Sequence, residues 1–372
     1  MMTVILIGTL LAVIALALLV AERFLVSHEE CTVTVNGSRS CKVEGGETLL
    51  EVLNQQKLFV PSACGGKATC GLCKVTIISG GGGLLPTEQA FVTRQEREQG
   101  IRLACQVRVQ NNIEVRLPES MLAAREYEAR VAAVETLTHD TKFVRFELGG
   151  DRLSFRPGQY VQLLVPGTDQ FRAYSVASPP SAARDSGYFE LIVRYVPGGL
   201  CTGWIHKALQ VGDRVKLTGP FGDFFLKADE GADIIALGRS TGMAPIRSIV
   251  MHLVELGMPR GMTFFFGARS ARDLYFVDNF RSLERRFPNF RFVLSLSRPR
   301  PEDNWNGEVG YPAQILSKYV LSGRDGCGEA PGSGWCVDKD VLLCGPPVMI
   351  DQAMQTLPRL GVAADRIYFD KF

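Results

Sequence analysis

The chain has 372 residues, of which 46% are hydrophobic and 22% are charged. These are ordinary globular proportions, so they exclude a disordered chain and a collagen-like fibre, and the length excludes a single small binding module. With 41 Lys and Arg against 39 Asp and Glu, the net charge of +2 gives no general affinity for nucleic acid, and no nucleic-acid partner is predicted.

The first segment is long and apolar. Met2 to Val20 contains no charged residue and no proline, and a helix of about 19 residues at about 1.5 Å per residue nearly spans a hydrocarbon core of about 30 Å. A cleaved signal peptide is the alternative, because Ala15-Leu16-Ala17 resembles a cleavage site, but the segment lacks a basic start and is longer than a signal peptide needs. We therefore predict a transmembrane anchor over residues 1–26. Its apolar span holds no ionisable residue, so it cannot itself form an ion path.

Residues 31–120 have the pattern of a small β-rich domain. Alternating apolar and polar residues flank Asn36-Gly37, a dipeptide typical of hairpins. Thr48 to Gln56 has helical apolar spacing, and Lys74 to Ile78 and Ile113 to Leu117 predict strands. The run Gly80 to Gly83 predicts a flexible loop.

This domain carries four cysteines in a pattern suited to a metal cluster. The first three follow the spacing C-x5-C-x2-C, and the fourth lies more than thirty residues later. Four thiolates are what a 2Fe-2S cluster requires, and glycines between them let backbone amides approach the sulfurs. The alternative, a structural zinc site, usually has two C-x2-C pairs, and the chain has one. The predicted cluster ligands are Cys64, Cys70, Cys73 and Cys105.

Residues 125–228 predict an antiparallel β-barrel, with strands near 130–134, 142–148, 160–165, 188–195 and 214–218 and one helix over Trp204 to Leu209. A flavin needs a ring face to stack on, a hydroxyl near its N5 and a cation for its phosphates, which Tyr174, Ser175 and Arg172 could supply. Backbone amides following Gly199 and the hydroxyl of Thr202 could hold a pyrophosphate at a helix N-terminus.

From residue 230 to residue 372, apolar strands alternate with helical periods, which predicts an α/β domain with a parallel sheet. The first strand leads into a phosphate-binding loop that begins a helix, and the last strand leads into Cys344-Gly345-Pro346. Ligands of open α/β sheets bind at this edge, so Cys344 is predicted beside a bound nucleotide. The residues predicted to hold the nucleotide are Gly238, Thr241, Gly242, Pro245, Cys344, Gly345 and Pro346.

In this order, the motifs resemble a plant-type ferredoxin domain fused to a ferredoxin-NADP reductase-like module. Within that group the chain is most similar to the F-subunit family of the sodium-translocating NADH:quinone oxidoreductases, which shares the N-terminal membrane helix and the long cysteine loop. The segments that carry the resemblance to the wider group are Arg172–Ser175, Gly219–Gly222, Gly242–Pro245 and Cys344–Pro347. Those that resemble the F subunits in particular are Leu85–Glu88, Arg102–Val107, Gly267–Ser270 and Pro301–Trp305.

The resemblance implies a β-grasp fold for the ferredoxin domain, FAD as the flavin and NADH as the substrate. Ser175 and Cys344 would be the catalytic contacts, and the terminal Phe372 would cover the flavin. The implied partners are the other subunits of a membrane quinone reductase. The implied location is a bacterial inner membrane, with the soluble domains facing the cytoplasm.

Two departures from the family pattern leave alternatives open. Arg239-Ser240-Thr241 stands where the F subunit has glycine and alanine, so the preference for NADH over NADPH is not fixed by the motif. The flavin domain is also shorter before Arg172. The first alternative is a stand-alone anchored reductase that supplies an oxygenase or another acceptor. The second is a tethered electron carrier that has lost nucleotide turnover.

Overall fold

The computed structural model describes residues 30–168, 170–322 and 338–371, together with residues 7, 8, 13, 14 and 17. None of the helices within these ranges is long and apolar enough to cross a membrane. The anchor predicted over residues 1–26 and the predicted flavin contact Phe372 lie outside the described residues, apart from the five isolated positions. The chain forms two compact units, Met1–Arg125 and Glu126–Phe372.

The first unit is a five-stranded mixed sheet with a helix packed on it. The strand order is β2-β1-β5-β3-β4, in which β1 and β5 are parallel and the other pairs are antiparallel. The elements are β1 Glu30–Val35, β2 Arg39–Glu44, α1 Leu49–Gln55, β3 Lys74–Ser79, a 3-10 turn Pro86–Glu88, α2 Arg94–Glu98, β4 Ile101–Leu103, β5 Ile113–Arg116 and α3 Glu119–Leu122.

Local sequence explains the start of this unit. Asn36 and Gly37 both have positive φ, of 52° and 66°, which is the geometry of a tight hairpin turn, and the predicted hairpin is confirmed. Thr48 and Glu51 form a reciprocal capping box that begins α1. The helix then buries its apolar face, including Leu49 and Leu53, in the core of the sheet.

The first part of the second unit is a six-stranded barrel with the strand order β10-β7-β6-β11-β8-β9. Val176, which follows β9, bridges to Leu191 in β10 and so joins the two ends of that order. The elements are β6 Arg125–Thr138, β7 Thr141–Glu147, β8 Tyr160–Leu164, β9 Phe171–Ser175, α4 Pro180–Arg184, β10 Tyr188–Arg194, α5 Leu200–Lys207 and β11 Arg214–Phe221.

The barrel differs from the sequence prediction in two places. The flavin motif at Arg172 follows the strand at Tyr160, and it forms a further strand, β9, that was not predicted. The helix predicted from Trp204 begins at Leu200, because Gly199 is its N-cap, and α4 is a second helix of the barrel.

The second part of this unit is a six-stranded sheet whose paired strands are all parallel, as predicted, in the order β15-β14-β13-β12-β16-β17. Apolar clusters cover both faces, with α6 and α7 in one cluster and α8 and α9 in the other. The strands are β12 Ile234–Arg239, β13 Met262–Ala268, β14 Phe290–Leu296, β15 Glu308–Val309, β16 Asp340–Gly345 and β17 Ile367–Lys371. The helices are α6 Met243–Glu255, α7 Val277–Arg286, α8 Pro312–Ser322 and α9 Pro347–Thr356. The 3-10 turns span Ser240–Gly242, Ala271–Asp273, Pro301–Asp303, Leu357–Leu360 and Ala364–Arg366.

The order of these strands places a crevice in the sheet. The chain leaves β12 toward β13 on one side, and β16 returns on the other side of β12. The point at which the strand order reverses is where open α/β sheets bind nucleotides, outside the carboxyl ends of the strands.

Candidate cofactor and nucleotide sites

The four predicted cluster cysteines come together as two pairs. The sulfurs of Cys64 and Cys70 are 3.4 Å apart, and the thiols of Cys73 and Cys105 are within hydrogen-bonding reach of each other. Cys73 and Cys105 are buried, whereas Cys64 and Cys70 are half-buried. The amide of Ala104 donates to the Cys73 carbonyl at 2.8 Å, which ties the distant fourth cysteine to the loop.

The loop that carries these thiols requires left-handed backbone. Gly65, Gly66, Ala68 and Gly71 all have positive φ, between 53° and 84°. A Cβ on Gly71 would also lie 2.6 Å from the Phe91 ring. Both the positive φ and this close contact therefore favour glycine at this position.

The folded loop directs backbone amides at the sulfurs. Burial raises the pKa of Cys64, but hydrogen bonds from the backbone of Thr69 and from Cys70 outweigh it and bring the value to about 7. Hydrogen bonds from Cys73 and Gln106 lower the pKa of Cys105 to about 6 against the effect of burial. These donors stabilise thiolates, the form that binds iron.

The donor set fits a 2Fe-2S cluster. The four thiols form two pairs, and a cluster with two irons and four thiolates needs two per iron. Amide donors to the sulfurs are also the means by which proteins stabilise and tune such anionic clusters.

A buried ion pair that the sequence did not predict holds the glycine loop against the segment that leads to Cys105. Arg102 and Glu88 lie 2.6 Å apart, with 8% and 0% of their side chains exposed. Arg102 also donates to the carbonyls of Gly81, Gly82 and Gly83 at 2.8–3.0 Å. The glycine run is a loop, as predicted, but these three hydrogen bonds hold it in place. The isolated charges at positions 88 and 102 gave no sign of this contact.

The two flavin motifs meet beside strand β9. Tyr174 is half-buried, and burial together with the neighbouring Cys201 thiol raises its pKa. Burial raises the pKa of the Cys201 thiol, against the hydrogen bond from Tyr174 and the charge of Arg172, which lower it. Strand β9 therefore lies beside the start of α5, although about thirty residues separate them in sequence. Ser175 ends the strand and is half-buried.

The start of α5 has the free donors that a pyrophosphate needs. Gly199 is the N-cap, and no side chain caps the first turn. The Thr202 hydroxyl accepts from the Val196 amide at 3.2 Å, which folds the preceding loop back over the helix start. The uncapped amides, the half-buried Arg172 and the Tyr174 ring fit the phosphates and ring system of FAD.

The two predicted nucleotide loops contact each other. A Cβ on Gly242 would lie 2.0 Å from the Cys344 carbonyl oxygen, so the close approach of the loops requires glycine at this position. The 3-10 turn Ser240–Gly242 runs directly into α6, and the Met243 amide donates to the Ser240 carbonyl. No side chain caps the start of that turn, which is the part of the segment suited to a nucleotide phosphate. Gly238, Thr241 and Pro245 belong to the same strand–turn–helix segment, and Gly345 and Pro346 lead into α9.

Cys344 is fully buried beneath this crevice. It pairs across the sheet with Asp370 in β17, and burial and that carboxylate raise the pKa of the thiol well above its ordinary value. The side chain is therefore a neutral, polarisable thiol at neutral pH rather than a nucleophilic thiolate. Burial also raises the pKa of Asp370, to about 6.

Three protein families match successive parts of the chain. Residues 33–110 match the 2Fe-2S iron-sulfur cluster binding domain, residues 128–226 the oxidoreductase FAD-binding domain, and residues 235–355 the oxidoreductase NAD-binding domain. These matches fall on the thiol loop, the barrel and the parallel sheet described above. The chain is an iron–sulfur flavoenzyme, an oxidoreductase that uses NADH, FAD and a 2Fe-2S cluster.

Full-length relatives define the family more narrowly. The chain is 33% identical to the F subunit of the Na(+)-translocating NADH-quinone reductase of Neisseria meningitidis, over 97% of this chain and 96% of the relative. It is 34% identical to the corresponding protein of Methylococcus capsulatus, over 95% and 94%. It belongs to the family of these F subunits, in which electrons pass from NADH to FAD and then to the 2Fe-2S cluster.

A solved structure shows the same architecture. A cytochrome P450 reductase from Amycolatopsis superposes with a TM-score of 0.72 at 33% identity, covering 92% of this chain and 98% of the other. The three-part arrangement therefore also occurs in a reductase that is named for a cytochrome P450.

Proposed function

We propose that this chain is the electron-input subunit of a membrane NADH:quinone reductase of the sodium-translocating type. Residues 1–26 anchor it as a single-pass protein in a bacterial inner membrane, and the other subunits of the complex accept its electrons. The soluble domains face the cytoplasm, where NADH and reduced thiols are found.

The observation that carries this proposal is the extent of similarity to the F subunits. A match over 97% of the chain leaves about 3% of 372 residues, or about 11, unmatched. The apolar segment before Glu30 is longer than that, so the similarity to the Neisseria protein reaches into it. Shared sequence at an apolar terminus supports a shared anchor, because a hydrophobic span of this length suits a bilayer.

The side chains of the flavin site have separate tasks in the proposed reaction. Arg172 neutralises the flavin phosphates, and the amides after Gly199 with the Thr202 hydroxyl bind the pyrophosphate. Tyr174 would offer an aromatic face to the flavin ring, and the Ser175 hydroxyl would supply a hydrogen bond to it.

The nucleotide loops orient the other reactant. Gly242 lets the two loops close together, and the 3-10 turn that leads into α6 binds the dinucleotide phosphates. The neutral Cys344 thiol would lie beneath the nicotinamide, where burial keeps it unreactive. When bound, FAD exchanges a hydride for single electrons and the 2Fe-2S cluster carries those electrons one at a time, whereas the protein supplies position and electrostatics.

A membrane assay tests the proposal. NADH:quinone reductase activity is measured with sodium varied at fixed ionic strength, in membranes of a deletion strain that carries the wild-type chain, Cys73→Ser or Cys41→Ser. We expect the wild type and Cys41→Ser to restore a sodium-stimulated rate. Cys73→Ser removes a cluster ligand and should not restore it, whereas Cys41 lies in the same domain outside the two thiol pairs.

One observation favours a second function, that of a stand-alone reductase for an oxygenase. The Amycolatopsis P450 reductase is as similar in sequence as the F subunits are, and it has the same three-part architecture. An unchanged sodium-stimulated rate after deletion, with the purified chain still reducing ferricyanide from NADH, would contradict the pump assignment and favour this alternative.

A further inference from the structure

A cavity of about 320 Å³ lies at the carboxyl edge of the parallel sheet and is rich in arginine. Its walls come from the ends of β12, β13 and β14 and from the barrel residues near His139 and Arg194. Five arginines line it against two aspartates, so the cavity has a net charge of +3 with histidine neutral. The lining arginines are Arg194, Arg239, Arg269, Arg272 and Arg298.

The two aspartates are already occupied by protein donors. Asp140 accepts hydrogen bonds from Arg194, Thr138 and Thr141 at 2.8–3.0 Å. Asp273 accepts from the amide and the hydroxyl of Ser270 at 2.9 and 2.8 Å through one oxygen, and its other oxygen lies 3.7 Å from Nδ1 of His139 and 4.0 Å from Nε of Arg272. Both oxygens of Asp140 are therefore engaged, whereas an acidic residue at this edge of NAD-binding sheets usually accepts from a sugar hydroxyl.

Three of the arginines have guanidinium groups available to a ligand. Within the described part of the chain, the side chains of Arg269 and Arg298 make no hydrogen bond or ion pair. They start from adjacent backbone positions, because the Arg298 amide donates to the Arg269 carbonyl at 2.8 Å. The Nε of Arg239 is buried and has no partner among the described residues, and its guanidinium carbon is 5.1 Å from the centre of the Tyr311 ring.

Charge in the cavity is unfavourable without an anion. Burial lowers the pKa of Arg239, and the neighbouring Arg194 and Arg269 lower it further. A bound anion would offset that repulsion and would fill the unmade hydrogen bond of Nε. Arginine forks match the oxygens of a phosphate group in particular.

The position of the cavity indicates which phosphate group of a bound dinucleotide it would hold. The dinucleotide pyrophosphate belongs at the start of α6 beside β12, and the nicotinamide belongs toward Cys344 in β16. The arginines lie on the opposite side, at the ends of β13 and β14, where the adenosine half of the dinucleotide would lie. An arginine after the second strand is the feature that accommodates a ribose 2′-phosphate.

We propose that this cavity is a phosphomonoester subsite that binds the 2′-phosphate of NADPH, so that the chain oxidises NADPH as well as NADH. The dihydronicotinamide ring of either coenzyme gives one hydride to bound FAD and leaves as the oxidised nucleotide. This inference rests on the proposed function, since it enlarges the substrate class of the same nucleotide site.

The test compares the two coenzymes on the purified full-length chain with ferricyanide as the acceptor. We expect kcat/KM for NADPH to exceed about one-tenth of that for NADH. In calorimetry without turnover, 2′,5′-ADP should bind at least about tenfold more tightly than 5′-AMP. Arg269→Gln and Arg298→Gln should each lower the NADPH to NADH ratio of kcat/KM by at least about tenfold. Arg285→Gln, an exposed position on α7 outside the cavity, is the matched control and should leave the ratio unchanged.

Three results would overturn the subsite. The first is a wild-type ratio of kcat/KM for NADPH to kcat/KM for NADH below about one-tenth. The second is equal affinity for 2′,5′-ADP and 5′-AMP. The third is that the variants lower kcat/KM for both coenzymes in the same proportion, as a purely structural defect would. If neither coenzyme is oxidised, the proposed function fails on its own, and the binding of 2′,5′-ADP against 5′-AMP still decides the subsite.

Discussion

At the scale of single residues, Arg102 connects several segments of the cluster domain. One guanidinium neutralises the fully buried Glu88 and holds three successive glycine carbonyls. Glu88 in turn accepts from the Leu103 amide, two residues before Cys105. The pair therefore connects the glycine loop to the segment that presents the fourth thiol.

We predict that Arg102→Lys lowers the free energy of unfolding of this domain by about 3 kcal/mol, because an ammonium cannot form the fork to Glu88 and the carbonyls together. The variant should also lose the cluster faster on dilution, measured by visible absorption. Arg94→Gln breaks only an exposed pair with Glu98 and should cost less than about 0.5 kcal/mol. Equal stability of the two variants would show that the buried contacts of Arg102 do not stabilise the domain.

A second residue-scale prediction concerns the contact between the nucleotide loops. In Gly242→Ala the new methyl would overlap the Cys344 carbonyl oxygen, so the loops must separate. We expect destabilisation of about 2 kcal/mol and a rise of at least about tenfold in KM for NADH. Gly83→Ala, which adds a Cβ that meets nothing within 4 Å and keeps the carbonyl that Arg102 binds, is the control for a methyl added outside the nucleotide domain. An unchanged KM in Gly242→Ala would show that the loops do not need this contact.

At the scale of elements, β17 places a carboxylate inside the nucleotide domain. Asp370 pairs with Cys344, and burial raises its pKa from 3.8 to about 6. The folded state therefore binds this proton more strongly than the unfolded state does. The associated stability is present below about pH 4 and is lost as the pH rises through about 6.

The prediction is that Asp370→Asn melts at a higher temperature than the wild type at pH 8, with a gain of about 2 kcal/mol, and loses that advantage at pH 4. Asp365→Asn, at an exposed position near the start of the same strand, should show no pH-dependent difference. A constant difference between Asp370→Asn and the wild type across this pH range would mean that the carboxyl titrates normally.

The elements that sequence predicted well are those with a local cause. Asn36-Gly37 determines the hairpin, and the alternation of apolar strands with helical periods determines the parallel sheet. Strand β9 was missed because every residue from Phe171 to Ser175 is half-buried, so a strand of this kind shows no alternation. The Arg102–Glu88 ion pair and the cavity at Arg269 depend on contacts between distant segments. The periodicity of one segment cannot indicate such contacts.

At the scale of the whole molecule, the candidate sites are built from segments far apart in sequence. The four thiols come from a loop and from a strand end more than thirty residues later, and the nucleotide crevice joins Gly242 to Cys344. Sequence could name the members of each site, because cofactor chemistry restricts residue types and spacing. It could not give the pairing of the thiols or the burial of Cys344, because both follow from packing.

The central claim is that one chain carries electrons from NADH through FAD to the cluster. The most direct test is an anaerobic titration of the purified full-length chain with NADH, followed by visible absorption and low-temperature electron paramagnetic resonance. We predict that NADH bleaches the flavin and produces the signal of a reduced 2Fe-2S cluster, and that Cys73→Ser keeps the bleaching but loses the signal. Flavin that stays oxidised in the FAD-loaded wild type after NADH is added would contradict the account and would favour a carrier that has lost nucleotide turnover.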